Sequence, residues 1–141
     1  MILVVGGCFQ GKLNYGLSLL GENVPPDPGE ADERIADGDF CTWEEAMERP
    51  VLNHFHALIR RGMAAKEKDP SFPSETELPA LMEELAAKKQ LIITDEIGNG
   101  IVPLDPLERR YRELTGRLCC RLAGSADQVH RVVCGLGNRI K

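Results

Sequence analysis

Apolar positions fall into two kinds of run along this chain. "ILVV" (2–5) and "LIIT" (91–94) are short, continuous and bounded by turn residues, which suits strands buried on both faces of a parallel sheet. "VHRVVCG" (129–135) predicts a closing strand, and "RIA" (34–36) a short one that ends at Asp37-Gly38. Elsewhere apolar residues recur three and four apart. Leu13, Leu17 and Leu20 predict a brief helix from Lys12, ended by Gly21. Thr42 with Glu45 three residues later is a capping box, and the helix it opens must stop or turn at Pro50. Pro50 then fits the first turn of a further helix carrying Val51, Leu52, Phe55, Leu58, Ile59 and Met63. Leu78, Leu81, Met82 and Leu85 predict a helix with Pro79 near its start and Lys88 and Lys89 at its carboxyl end. The spacing of Leu107, Tyr111, Leu114, Leu118 and Leu122 predicts a long helix over 105–123 with these residues facing the core. Prolines and glycines mark loops at 21–33 and 66–75.

Strands alternating with helices imply an α/β domain: one mostly parallel sheet with helices on both faces, spanning residues 1–141 as a single unit. Ligands of such sheets sit beyond the carboxyl ends of the strands. The glycine turn after residue 5, Asp37 and the Asp95-Glu96 pair all follow predicted strands, so they are expected at that edge.

The glycine turn, "VVGGCFQGKLNYG" (4–16), fits the phosphate-loop pattern G-x-x-x-x-G-K-[ST] at Gly6, Gly11 and Lys12, with Leu13 where the hydroxyl residue belongs. Successive main-chain amides opening onto a helix N-terminus cradle phosphate oxygens without side chains, so Gly6, Gly7, Cys8, Phe9, Gln10, Gly11, Lys12 and Leu13 form the candidate binding segment for ATP or GTP. Lys12 would add a point charge. Leu13 removes an oxygen that normally joins the Mg2+ shell, so the metal needs water or a carboxylate instead. Lys12, Asp95 and Glu96 are the candidate catalytic residues, with Asp37 and Glu96 as candidate metal carboxylates. His54 and His56 stand two apart; on one helix they would diverge by about 200°, which argues against a shared metal. His130 is expected to pack inside its strand, and Arg112 and Arg117 are candidates to meet anions.

Composition narrows the partners. Net charge is −5, and residues 22–48 hold ten acids against Arg34 alone, whereas residues 105–141 hold eight basic residues against four acids. So acidic a chain argues against nucleic acid. No apolar run reaches the roughly 20 residues a membrane span requires, and "MILVVGG" lacks the positive region of a signal peptide, so a cytoplasmic location is expected. The cysteines (8, 41, 119, 120, 134) are odd in number with no C-x-x-C, and are expected as reduced, buried small hydrophobes rather than a zinc site.

"MILVVGG", "TDEIGNGIVP" (94–103), "GRLCCRLA" (116–123) and "VVCGLGNRIK" (132–141) together resemble the bifunctional adenosylcobinamide kinase / adenosylcobinamide-phosphate guanylyltransferase of cobalamin biosynthesis. The resemblance covers about the first 12 residues and the last 50 in matching order. It implies a RecA-like P-loop fold, a homotrimer and two reactions: phosphorylation of the cobinamide side-chain hydroxyl, then transfer of GMP onto that phosphate through a guanylylated histidine. The segment that carries this histidine in the family has no counterpart between the first helix and Arg34. Leu13 replaces the family's hydroxyl residue, and Cys119-Cys120 stand where the family tends to have Asn-Gln. The expectation is a shortened member that binds a purine nucleotide and phosphorylates adenosylcobinamide without the guanylyl transfer. The alternatives are a non-catalytic nucleotide-binding or assembly protein, and a bifunctional enzyme using His54 or His56.

Overall fold

Six strands form one sheet in the order β2-β3-β4-β1-β5-β6 in the computed structural model, which describes residues 1–21, 32–65 and 72–141. The elements are β1 (Ile2–Gly6), α1 (Lys12–Leu19), β2 (Ile35–Asp37), α2 (Trp43–Glu48), β3 (Val51–Asn53), α3 (Phe55–Ala64), α4 (Leu78–Lys88), β4 (Leu91–Asp95), α5 (Pro106–Ser125), β5 (Gln128–Val133) and β6 (Leu136–Arg139). The first five strands in the order pair in parallel, and β6 turns back antiparallel on β5. The loop expected at 21–33 and most of that at 66–75 lie outside the described residues.

Alternate residues of each central strand feed two separate cores. Leu3, Leu52, Ile92 and Val129 point into a cluster with Phe55, Leu58, Ile59, Leu78, Met82, Leu85, Leu118 and Leu122 from α3, α4 and α5. Val4, Val51, Leu91, Ile93 and Val132 point to the other face, where Leu17 of α1 covers them. This period of two, with both sides apolar, is why the strands read as unbroken hydrophobic runs. Each fully buried Leu, Ile or Phe contributes roughly 1.5–3 kcal/mol by leaving water.

The expected capping box is present: Glu45 N donates to Thr42 Oγ1 at 3.1 Å and Thr42 N donates to Glu45 Oε2 at 2.9 Å. Such a cap is worth about 1 kcal/mol, which matters for a helix of six residues.

Four expectations are corrected. Residues 51–53 do not begin a helix; they form β3, buried at every position between β2 and β4, because three apolar-rich residues satisfy either period and the sheet had a gap for them. The helix starts only at Phe55. Residues 136–139, unassigned by pattern, form β6 through a tight turn at Cys134 (φ 50°) and Gly135 (φ 78°), the paired left-handed geometry of a two-residue hairpin. Leu107 does not face the core: it is 47% exposed on the first turn of α5, although Tyr111, Leu118 and Leu122 are buried as expected. Only Cys41 of the five free cysteines is buried; Cys119 is half-buried, and Cys8, Cys120 and Cys134 are exposed because they fall on loops or the outer face of α5.

Candidate functional site

The segment from Gly6 to Leu13 leaves β1, turns and enters α1. Gly6 is required by close approach, since a Cβ there would lie 2.4 Å from Val132 O of the neighbouring strand. Phe9 (φ 56°) and Gly11 (φ 77°) both take left-handed backbone, which folds the loop over the start of α1. Gly11 is the N-cap of α1 and brings no side-chain cap, so the first-turn amides are left to a ligand. The loop is strapped from one side. Gln10 Oε1 accepts from Cys134 N at 2.6 Å, and Gln10 O accepts from Gly135 N at 2.9 Å, so the β5–β6 turn holds its far limb.

Lys12 is buried at the base of this loop. Its Nζ donates to Gly7 O at 2.7 Å and stands 2.6 Å from Asp95 Oδ1 at the end of β4. The second approach is a charge contact: Oδ1 is buried, and no hydrogen bond of good geometry reaches it. Burial alone would raise the Asp95 carboxyl, but the Lys12 ammonium, His56 and Cys8 outweigh it and hold it below the usual carboxylate range. His56 stands on the other side of Asp95. Its Nδ1 accepts from Asp95 N at 3.1 Å, which puts the ring proton of the neutral imidazole on Nε2, 3.7 Å from Asp95 Oδ2. Burial pushes His56 below its ordinary value against the pull of the Asp95 charge, which favours this neutral form.

A second cluster forms one strand further out. His54 is the N-cap of α3 with left-handed backbone (φ 51°), and its Nδ1 lies 3.0 Å from Asp37 Oδ1 and 2.9 Å from Asp39 Oδ2. The Asp37 hydrogen bond is the main cause that raises His54; Asp37 itself is held low, since bonds from His54, Asp39 N and Asn53 outweigh its burial. Because His54 precedes the helix instead of riding on it, the two imidazoles do not diverge as expected: their rings lie 5.8 Å apart, edge to face.

The structure thus gathers Lys12 and Asp95 with the loop, and sets Asp37 with Asp39 and His54. Glu96 is placed beside Gly6, whose carbonyl accepts its amide at 2.8 Å, but its carboxylate is taken by Arg131 at 3.2 Å. Asp37 and Glu96 do not fall into one group of ligand atoms among the described residues. Leu13 packs against the α1-side core. Sequence reasoning missed Asp39 as a partner of His54, named Gln10 only as part of the binding segment and not as a strap, and named His56 only as an alternative to His54. Spacing in "NHFH" was the only signal for His56, and it was misleading while 51–53 was read as helix. In the free chain Arg112 donates to Ile101 O and Arg117 pairs with Glu113. His130 is buried between Tyr15 OH and Gln128 Oε1, as expected of a packed strand residue.

Comparison with known proteins gives the family. Residues 42–140 match the family model described as cobinamide kinase / cobinamide phosphate guanyltransferase. The chain belongs to this family. It is 43% identical over 106 residues to the bifunctional adenosylcobalamin biosynthesis protein CobU of Escherichia coli, a stretch covering 74% of the chain and 47% of that relative. It is 47% identical over 53 residues to the protein of the same name from Salmonella typhimurium, covering 38% of the chain and 29% of that relative. The chain therefore spans under half the length of these two curated relatives in the matched regions. The fold is accordingly that of an α/β, P-loop NTPase-like member of the cobinamide kinase family. No helix among the described residues is long and apolar enough to cross a membrane.

The residues present fit a nucleoside triphosphate and its magnesium. The loop offers uncapped amides and a buried ammonium, and the end of β4 places the carboxylates of Asp95 and Glu96 at the same edge of the sheet. Magnesium keeps most of its waters and draws ligands from phosphate oxygens and one or two carboxylates, so the loss of the hydroxyl at position 13 leaves a workable donor set.

Proposed function

We propose that this chain binds ATP or GTP at residues 6–13 and transfers the terminal phosphoryl group to the side-chain hydroxyl of adenosylcobinamide. The observation that supports it best is Lys12, buried beneath an uncapped glycine loop and already matched with Asp95 at the carboxyl edge of the sheet. Phosphoryl transfer needs positioning and charge neutralisation more than covalent chemistry. The loop amides grip the phosphates, and Lys12 turns from Asp95 and Gly7 O to the terminal phosphate. Asp95, freed of its counter-charge, accepts the proton of the attacking hydroxyl. That oxygen bonds to the terminal phosphorus as the bridging P–O bond breaks, releasing ADP or GDP. When bound, magnesium would supply charge neutralisation on the phosphates, and water with the Glu96 carboxylate beside Asp95 would hold it. Asp37 serves the neighbouring cluster with Asp39 and His54.

A second reading is favoured by one observation, the orientation of His54. With Nδ1 turned to Asp37 and Asp39, its Nε2 is left as the nucleophilic nitrogen. In that reading Nε2 attacks the α-phosphorus of GTP, an N–P bond forms and pyrophosphate leaves, giving a GMP-carrying histidine in place of the segment the chain lacks.

One incubation tests both. With magnesium, adenosylcobinamide and γ-labelled ATP or GTP, the expected product is a labelled phosphate ester, and Lys12→Ala lowers its rate by on the order of 10²–10³-fold. Absence of ester, with nucleotide affinity indifferent to magnesium, means a non-catalytic nucleotide-binding protein and ends the kinase reading. Intact-mass measurement of the GTP sample decides the second: an acid-labile GMP adduct absent from His54→Ala supports it, and an unmodified chain ends it.

A further inference from the structure

Beyond its role as a neighbour of Asp95, His56 has a geometry that nothing in the reaction chemistry requires. In a parallel sheet the amides of one strand point alternately to the strands on either side. At the carboxyl end of β4, Glu96 N points to β1 and is accepted by Gly6 O at 2.8 Å. Asp95 N therefore points to the β3 side. There β3 pairs with β4 only as far as Leu52↔Ile92, and the chain leaves the sheet after Asn53. No main-chain carbonyl of β3 is in register with Asp95, and the acceptor that fills the gap is a side chain, His56 Nδ1 at 3.1 Å.

We propose that His56 is a positioning residue of the phosphate site: its Nδ1 stands in for the missing strand carbonyl and fixes the end of β4, so that Asp95 is held against Lys12. The imidazole is itself held at both ends. Its residue sits in the first turn of α3, its main-chain oxygen accepts from Tyr111 OH of α5 at 3.1 Å, and its ring meets that of His54 edge to face. With Nδ1 committed as acceptor, the proton on Nε2 faces Asp95 Oδ2, which orients the carboxylate as well as the main chain. The same commitment removes His56 as a nucleophile or general base, since Nδ1 is engaged as an acceptor and Nε2 carries the proton. His54, its ring neighbour, has the opposite assignment. This inference rests on the proposed nucleotide site, and its test has an arm independent of catalysis.

The test uses the full chain. Imidazole nitrogen NMR of the free protein should show His56 as the neutral Nε2–H tautomer, with an acceptor Nδ1 coupled to the Asp95 amide; an Nδ1–H tautomer overturns the proposal. For function, His56→Asn keeps an acceptor oxygen close to the place of Nδ1, while His56→Ala removes it. Expected is a fall in kcat on the order of tenfold to a hundredfold in His56→Ala with a smaller change in KM, and recovery to within a few-fold in His56→Asn. Equal kcat in wild type and His56→Ala, or equal loss in Ala and Asn, overturns it. If the wild-type chain makes no phosphate ester the kinase reading fails by itself, and the tautomer together with ATP affinity by calorimetry still judges His56: Ala should weaken binding about tenfold and Asn should restore it, and unchanged affinity in Ala overturns the claim.

Discussion

Leu13 follows Lys12 on the first turn of α1, and its branch lies against the cluster of Val4, Leu17, Val51, Leu91, Ile93 and Val132. The position usually occupied by a hydroxyl is thereby given to packing, and the metal side of the loop is left to solvent. Water is a good magnesium ligand, so the hydroxyl's contribution is replaceable. Leu13→Ser should accordingly change kcat by less than about tenfold at saturating magnesium. It should also lower stability by about 1–2 kcal/mol, because a half-buried leucine loses part of the 2–5 kcal/mol that full truncation costs. Steady-state kinetics and urea unfolding of the same variant check both. A hundredfold gain would mean that the missing oxygen, and not the arrangement of Lys12 and Asp95, limits the site. Which residues carry the loop was legible from the glycine spacing. What each side chain faces was not: the contact of Lys12 with Asp95 joins residues 83 positions apart through the β1–β4 register, and no local pattern encodes that pairing.

Among the elements, the junction of α4 with β4 carries a titratable group buried without a carboxylate partner in any contact described. Lys89, expected at the carboxyl end of the helix, is 4% exposed, and its Nζ donates to Met47 O in the last turn of α2 at 2.9 Å. Burial lowers it to about 8, with Lys88 adding to the effect. A folded-state value below the unfolded one means the unfolded chain holds more protons between these values, so stability rises with pH from about 8 towards 10.5. Cys41 and Cys119, raised by burial to about 11, act in the opposite sense over the same range. The difference between wild type and Lys89→Met isolates the lysine: wild type should gain on the order of 1–3 kcal/mol relative to the variant from pH 7.5 to 9.5, measured by urea midpoints, and a constant difference would contradict it. Elements whose own residues specify them were readable, as at β1, β4 and the Thr42 capping box. The ones lost to sequence reasoning owe their form to neighbours. Val51–Asn53 is a strand because β2 and β4 flank it, and the fully exposed β6 carries no alternation at all, being held by β5 and a Cys-Gly turn.

At the scale of the molecule, the proposed function asks a chain of net charge −5 to hold a polyanion, so attraction cannot come from its overall field. It has to be local, and the fold supplies it at the edge where β1 and β4 end side by side. There the amides of α1 and the Lys12 ammonium face a ligand from a base walled by low-dielectric core, where charge contacts are weakly screened. In the free protein that ammonium is matched by Asp95 and Gly7 O, so binding exchanges one set of partners for another and the net gain comes through the phosphates. Two consequences are measurable by thermal unfolding. A nucleoside triphosphate with magnesium at a hundred times its dissociation constant should stabilise the fold by about 2.7 kcal/mol, a rise in melting temperature of roughly 8–12 °C for a domain of this size. Adenosine or guanosine, which present a base and no phosphate, should leave it unmoved at the same concentration, and Lys12→Ala should lose most of the triphosphate shift. If the nucleosides alone reproduced the full rise, the grip would lie on the base, and the loop would be a structural turn with no part in binding.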